Sequence, residues 1–307
     1  MRIVLNDLRD GYVVLLDKLL TRGVPISSRS LPVLEVTGCQ LHFPDVLWPL
    51  LPIGIGRQIN TRLAAVEALQ LIAGTFDADL IQRAAPTFSD VLVDPQNLSY
   101  GAYGPRVGYA IGDCLDLLRR DPGTRQAVVS IWRPEDLEHA GDKPCTVFLQ
   151  FLIRQHRPDG YDVLDMFVYM RSQDAWLGVP YDIFMFSQLQ HTIARELRIP
   201  TGSYTHTATS MHIYESDVPR VRTLVNVWQH TDVTTTSGSA SDFTLPLGVV
   251  VTNEQETGFD VADHLLSTAR PDTEAHTGTV ADREANLWYF RRMRDIRRWG
   301  ESADQTN

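Results

Sequence analysis

The chain has 307 residues, 43% of them hydrophobic, and a net charge of -10. That length buries a full core as one large domain or two small ones, and the acidic balance excludes nonspecific nucleic-acid binding, which needs basic surface to replace counterions. No run of about eighteen apolar residues suggests a membrane span, and the start, Met1-Arg2-Ile3-Val4-Leu5-Asn6-Asp7, lacks the long apolar region of a signal peptide. A soluble, cytoplasmic protein is expected.

Cys39, Cys114 and Cys145 are odd in number and widely spaced, and the nine histidines form no H-E-x-x-H pattern. Neither a disulfide framework nor a metal site is indicated. Lys18 and Lys143 are the only lysines. This bias towards arginine suggests a GC-rich genome more than a need for guanidinium chemistry.

In chain order, Asp7 to Arg22 carries Leu8, Val13, Leu16, Leu19 and Leu20 at helical spacing after a possible cap at Asn6. Leu31 to Phe43 reads as a strand. Its apolar parity shifts from Leu34 and Val36 to Cys39, Leu41 and Phe43 after Gly38, which predicts a bulge there. Thr61 to Ala73 and Val107 to Arg120 read as amphipathic helices, the second stopped by Asp121-Pro122-Gly123. Gln126 to Trp132, Thr146 to Ile153 and Val163 to Tyr169 are β-branched and aromatic runs expected in one sheet. Ile183 to Leu197 is a long apolar helix after a turn at Asp182. Beyond about residue 232 come a Thr/Ser/Gly loop, Thr234 to Asp242, an irregular polar stretch, Ser267 to Asp282, and a basic helix, Arg283 to Trp299. The arginines of that helix fit a solvated face or packing extension better than an RNA contact in so acidic a chain.

One segment carries most of the functional signal: Arg171-Ser172-Gln173-Asp174-Ala175-Trp176-Leu177-Gly178-Val179-Pro180-Tyr181-Asp182. Upstream lies Pro144-Cys145, and downstream His212-Ile213-Tyr214. In that order these motifs resemble the thymidylate synthase family: a Pro-Cys nucleophile turn, an Arg-Ser phosphate contact, a D-x-x-x-G-x-P-[YF]-N base-recognition loop and an H-x-Y sugar contact. Asp182 stands where the family usually has asparagine, and in the family that exchange marks the cytidylate 5-hydroxymethylases. The chemistry agrees. An amide matches the N3–H donor and O4 acceptor of uracil, whereas cytosine presents N3 as acceptor and its amine as donor. A protonated carboxyl matches that reversed pattern, or a carboxylate holds an N3-protonated ring, and asparagine leaves buried groups unpaired. The plain alternative is an Asp that caps the following helix.

The resemblance implies an α+β fold of the thymidylate synthase type, three-layered, with a large mixed sheet used for dimerisation. It covers roughly residues 5 to 220. Residues 1–266 form the catalytic domain, and 267–307 a polar linker and basic helix extending it. Cys145 is the implied nucleophile, with arginine company expected to favour its thiolate. Glu67, in Ala65-Val66-Glu67-Ala68-Leu69-Gln70-Leu71-Ile72-Ala73-Gly74, matches the family's helix-borne glutamate. A carboxylate in that apolar run is costly to bury without a role, and its role is the proton relay and the placing of water; the alternative is a surface glutamate. Tyr103 orders water near C5. Arg29, Arg125, Arg171 and Ser172 hold the phosphate, with Arg125 reaching the partner's phosphate site across a homodimer. His212 and Tyr214 hold the sugar, Asp174 and Phe88 line the site of the co-substrate 5,10-methylenetetrahydrofolate, and small Ala175 leaves room for a 2′-hydroxyl.

The chain departs from the family pattern at Gln126, where a second arginine is usual, at Thr146 after the nucleophile, and near Phe88, where tryptophans are missing. Its end, Gln305-Thr306-Asn307, is unlike the apolar tail that closes over folate, and a looser lid suits water addition. The expectation is folate-dependent 5-hydroxymethylation of CMP or dCMP, with CMP favoured and nucleoside-antibiotic biosynthesis the expected setting. The rivals are a thymidylate synthase-like methylase acting on a uridylate and a catalytically idle binding relative.

Overall fold

Asp7 opens the first helix, its carboxylate accepting the Asp10 N–H at 3.0 Å. The cap is therefore Asp7, not Asn6: the helix starts at Leu8, and the side chain that reaches its exposed amides is the one immediately before it. A computed structural model describes residues 1–28, 31–46, 50, 52, 55–85, 100–139, 143–156 and 160–230. In chain order these residues form β1 (Arg2–Val4), α1 (Leu8–Arg22), β2 (Val24–Ser28), β3 (Leu31–Phe43), α2 (Thr61–Ala73), α3 (Ala78–Ala84), α4 (Gly104–Arg120), β4 (Val128–Ser130), β5 (Thr146–Gln155), β6 (Asp162–Asp174), α5 (Val179–Glu196), β7 (Thr201–Tyr214) and α6 (Val218–His230). The polar loops and basic helix expected beyond residue 232, and the division at residue 267, lie outside the described residues.

The strands make one mixed sheet in the order β1-β3-β7-β6-β5-β4, with β2 also paired to β3. β6 and β7 run parallel, and β3–β7 and β5–β6 antiparallel. This is the expected α+β class. Helix α5 packs on β6 and β7, and α2 packs in turn on α5 and α4. The core between them is apolar and close-packed around Phe43, Phe151, Phe186 and Met166, all fully buried. No helix among the described residues is long and apolar enough to cross a membrane.

The bulge expected at Gly38 is a shared kink instead. Gly38 has φ 62, the left-handed region that suits glycine, yet the β3–β7 register is the same before it (Thr37↔Ser210) and after it (Cys39↔Ala208). No residue is inserted. The β6–β7 ladder steps over the same level, from Met170↔Ala208 to Ser172↔Ser210, and β5 shifts register beside it, between Thr146 and Phe148. Across this kink the buried parity of β6 changes: Met166, Val168 and Met170 point into the core before it, and Gln173 does so after it. The kink thus turns the polar end of β6 inwards, towards the start of α5.

Other boundaries differ from the sequence reading, among them α4, which starts at Gly104, and β5, which ends at Gln155. β6 continues to Asp174 because its polar end keeps pairing with β7. α5 begins at Val179, after Gly178 and with Pro180 in its first turn, a position where proline loses no hydrogen bond. β4 spans only Val128–Ser130. The long central strand β7 has no counterpart in that reading.

Candidate active site

Helix α2 brings Glu67 to the site, and two glycines set how closely it approaches. Asn60 caps α2 by accepting the Leu63 N–H at 3.0 Å, and Gly74 ends it at φ 66. A Cβ on Gly74 would lie 2.7 Å from the Gly108 Cα, and one on Gly104 would lie 2.0 Å from the Thr75 carbonyl oxygen. Only glycines let the end of α2 cross the start of α4 at this distance. The crossing puts Glu67 and Tyr103, the residue before α4, on one cavity.

That cavity has a volume of about 240 Å³ and is lined by Glu67, Tyr103, Cys145 and Asp182 together with Gln70 and Lys143. The structure thus brings all four residues expected to carry catalysis to one place. Cys145 sits just before β5. Arg171 on β6 braces its turn: Nε donates to the Pro144 carbonyl at 3.0 Å, Nη2 to the Lys143 carbonyl at 3.2 Å, and the Arg171 N–H to the Cys145 carbonyl at 2.9 Å. The guanidinium also lies over the Trp132 ring, 5.3 Å from its centroid.

Asp182 is not the cap of α5. It lies inside the first turn, the capping position is Gly178, and no side chain caps the helix. Its Oδ2 accepts a hydrogen bond from Gln173 Nε2 at 2.8 Å. Burial pushes the Asp182 carboxyl up to about 6, with the Gln173 hydrogen bond pulling back and Asp174 adding to the rise. Burial also pushes Glu67 up to about 8, and the Asp182 charge contributes. Two carboxyls facing one low-dielectric cavity cannot both ionise cheaply. The Tyr103 hydroxyl is raised well above its ordinary value, first by burial and then by Asp182 and Cys145. Glu67 and Tyr103 therefore keep their protons at neutral pH, and the raised Asp182 carboxyl and the Cys145 thiol share the cavity with them.

The remaining expected residues lie along the ends of β6 and β7. Ser172 pairs with Ser210, and Asp174 with His212. Asp174 Oδ1 accepts the Trp176 and Leu177 N–H groups at 2.7 and 3.1 Å; burial raises its carboxyl, and those two bonds oppose the rise. The His212 and Tyr214 rings meet edge to face, 5.2 Å apart. Ala175 is fully buried, and its N–H donates to the His212 carbonyl at 2.7 Å. Arg125 is exposed before β4. Arg29 and Phe88 lie outside the described residues. None of Arg125, Arg171, Ser172, Asp174, Ala175, His212 and Tyr214 lines the cavity itself.

The thymidylate synthase family model matches residues 11–236. The chain belongs to the thymidylate synthase family. Among curated relatives it is similar to thymidylate synthase of Listeria monocytogenes serotype 4a (strain HCC23), 29% identical over 164 residues, covering 53% of this chain and 46% of that one. It is also similar to thymidylate synthase of Listeria innocua serovar 6a, 31% identical over 112 residues, covering 36% and 34%. The matched region thus spans less than half the length of these relatives. Residues 11–236, matched by the family model, include Pro144-Cys145, Glu67 and the loop ending in Asp182, and Glu67, Cys145 and Asp182 converge on the cavity.

Sequence reasoning missed several residues. Lys143 lies two positions before Cys145, lines the cavity and donates to the Leu137 carbonyl at 2.9 Å; its rarity in the chain was the available signal. Arg57 lies over the Trp176 ring at 4.1 Å and bonds the Tyr12 hydroxyl, and nothing local marks it. Gln173, between two motif residues, is the support of Asp182.

Proposed function

We propose that the protein is a folate-dependent cytidylate 5-hydroxymethylase. The observation that carries this reading is Asp182, a carboxyl that burial raises to about 6, facing the same cavity as the Cys145 thiol and Glu67. Protonated on the oxygen that faces N3, this carboxyl offers cytosine the donor and the acceptor it needs, and as a carboxylate it holds an N3-protonated ring.

In this mechanism Cys145 Sγ adds to pyrimidine C6 while Asp182 holds the ring nitrogen and the 4-amino group. C5 becomes a carbon nucleophile and takes the one-carbon unit, which 5,10-methylenetetrahydrofolate supplies as co-substrate. Glu67, protonated at neutral pH, donates a proton as the adduct forms and later places the water that adds to the exocyclic methylene. Loss of the C5 proton, departure of tetrahydrofolate and expulsion of Cys145 leave a 5-hydroxymethyl group. Tyr103, whose hydroxyl stays protonated, orders water by C5. Asp174 suits the folate ring, because a carboxylate held at one oxygen by backbone amides is rigid and still accepts from an amino-pyrimidinone edge.

Arg171 and Ser172, with Arg29, hold the phosphate. The exposed Arg125 serves the partner's site in a homodimer built on the sheet. His212 and Tyr214 hold the sugar, and CMP is preferred over dCMP. Ala175, whose N–H meets the His212 carbonyl, influences that choice by the room its small side chain leaves for a 2′-hydroxyl, and an unassisted hydroxyl is discriminated by only about a hundredfold. The setting is cytoplasmic, in the biosynthesis of a modified nucleoside such as an antibiotic.

Product analysis in oxygen-18 water tests the reading. The account predicts a cytidylate product carrying label in a new hydroxymethyl group. A methylated uridylate with dihydrofolate instead favours the methylase rival, and no turnover of any pyrimidine nucleotide favours the idle relative.

A further inference from the structure

Behind Asp182 runs a buried chain of polar groups that the mechanism does not use. Tyr204 Oη lies 2.9 Å from His206 Nδ1, His206 Nε2 lies 3.3 Å from Gln173 Oε1, and Gln173 Nε2 lies 2.8 Å from Asp182 Oδ2. Tyr204 and His206 are fully buried and Gln173 is 2% exposed.

The chain has a direction. His206 is neutral, since burial lowers its imidazole to about 3, and so has one donor and one acceptor. Two orientations are self-consistent in principle. In the first, Tyr204 donates to Nδ1, Nε2–H donates to Gln173 Oε1, and the Gln173 amide N–H donates to Asp182. In the reverse, Asp182 donates to Gln173, the amide N–H donates to Nε2, and Nδ1–H donates to Tyr204. The reverse leaves the Tyr204 O–H without an acceptor among the described residues. It also turns the Gln173 carbonyl oxygen towards the Asp174 carbonyl, which its Nε2 now approaches at 3.5 Å. Each conflict costs a buried hydrogen bond, so the first direction holds.

The site is shaped around this chain. A Cβ on Gly178 would come 2.6 Å from Gln173 Nε2 and 3.1 Å from Asp182 Oδ2. The glycine of the D-x-x-x-G motif is therefore what leaves room for the Gln173–Asp182 bond.

The consequence concerns base choice. A neutral carboxyl on its own is degenerate, because the proton on either oxygen gives a donor–acceptor pair of either order, and the two orders match cytosine and uracil. A permanent N–H on Oδ2 leaves Oδ1 as the oxygen that carries or shares the proton, and only one order remains. We propose that Tyr204, His206 and Gln173 act as positioning residues that fix the proton of Asp182 on Oδ1 and thereby confine the site to cytosine. This rests on the reading of Asp182 as the base-recognising residue.

Two measurements test it. In the unmodified protein, long-range proton–nitrogen NMR of the imidazole reports the His206 tautomer directly. The proton on Nε2 is expected, and a proton on Nδ1 overturns the proposal without any nucleotide present. The second measurement compares kcat/KM for CMP and UMP in the parent, Tyr204→Phe, Gln173→Met and the double variant Gln173→Met with Asp182→Asn. Loss of the O–H or the amide should lower the CMP-to-UMP ratio by about tenfold or more, the scale of one buried hydrogen bond. A merely structural role lowers both substrates equally and leaves the ratio unchanged, which overturns the proposal. A cytosine preference lost in the double variant but kept in Tyr204→Phe and Gln173→Met overturns the chain alone. A parent enzyme that prefers UMP overturns the base reading and the chain with it.

Discussion

Gln173 Nε2 donates to Asp182 Oδ2 across 2.8 Å, from the last turnwards residues of β6 to the first turn of α5. The bond ties the residue proposed to recognise the base to the sheet kink that turns Gln173 inwards. Without it Asp182 is a buried carboxyl on a helix, free to rotate. With it the carboxyl has one fixed face towards the cavity.

Replacement of Asp182 by asparagine together with Gln173→Met, which frees the amide from the Gln173 N–H, is expected to shift preference from cytosine towards uracil nucleotides. An amide mismatched to cytosine leaves buried groups unpaired at about 1–3 kcal/mol, enough to reverse the order of kcat/KM. Steady-state kinetics on both bases checks this, and an unchanged cytosine preference removes Asp182 from base recognition.

Cys145→Ser should abolish turnover while retaining the fold and nucleotide binding, because serine has no accessible anionic form here. Calorimetric titration with CMP, alongside the activity assay, separates the two effects. Substantial residual turnover in the pure variant excludes a covalent adduct at Cys145.

Glu67→Gln should lose about a hundredfold in rate or more, the usual scale for an acid–base group. It also has a signature in stability. The Glu67 carboxyl is raised from 4.5 to about 8 in the folded chain, so between those values the unfolded chain has released a proton that the folded chain keeps. The contribution of Glu67 to stability is fully present below about pH 4.5 and is lost as pH rises towards about 8. Glutamine does not titrate. The Tm of Glu67→Gln relative to the parent should therefore climb across that window, and a flat difference places Glu67 at the surface.

Gly178→Ala should both destabilise the protein and loosen base choice. Its Cβ would meet Gln173 Nε2 at 2.6 Å, and overpacking of this kind costs about 1–3 kcal/mol. Thermal melting and the CMP-to-UMP ratio should fall together; a fall in Tm with an unchanged ratio means that Gly178 serves packing alone.

How far the sequence foretells this site depends on whether the signal is local. α2 is read to its residue limits because Asn60 and Gly74 cap an apolar periodic run. Tyr103 and Cys145 are visible beside a glycine and a proline, Asp182 two residues after Pro180 and Glu67 as a carboxylate in an apolar helical run, and the four converge on one cavity. β7 escapes the reading because Thr201 to Thr207 is polar, although it lies buried mid-sheet. The support of Asp182 is less legible still. His206 pairs with Val168 and Gln173 with Met211, and their side chains meet although they stand on rungs either side of the kink at the level of Gly38. Spacing along either strand does not encode that contact.

The most direct test of the central claim is tritium release from C5-labelled CMP, dCMP, UMP and dUMP in the presence of methylenetetrahydrofolate. The account predicts rapid release from the cytidylates, CMP ahead of dCMP, and release from the uridylates slower by at least about tenfold. Faster release from UMP or dUMP would contradict it.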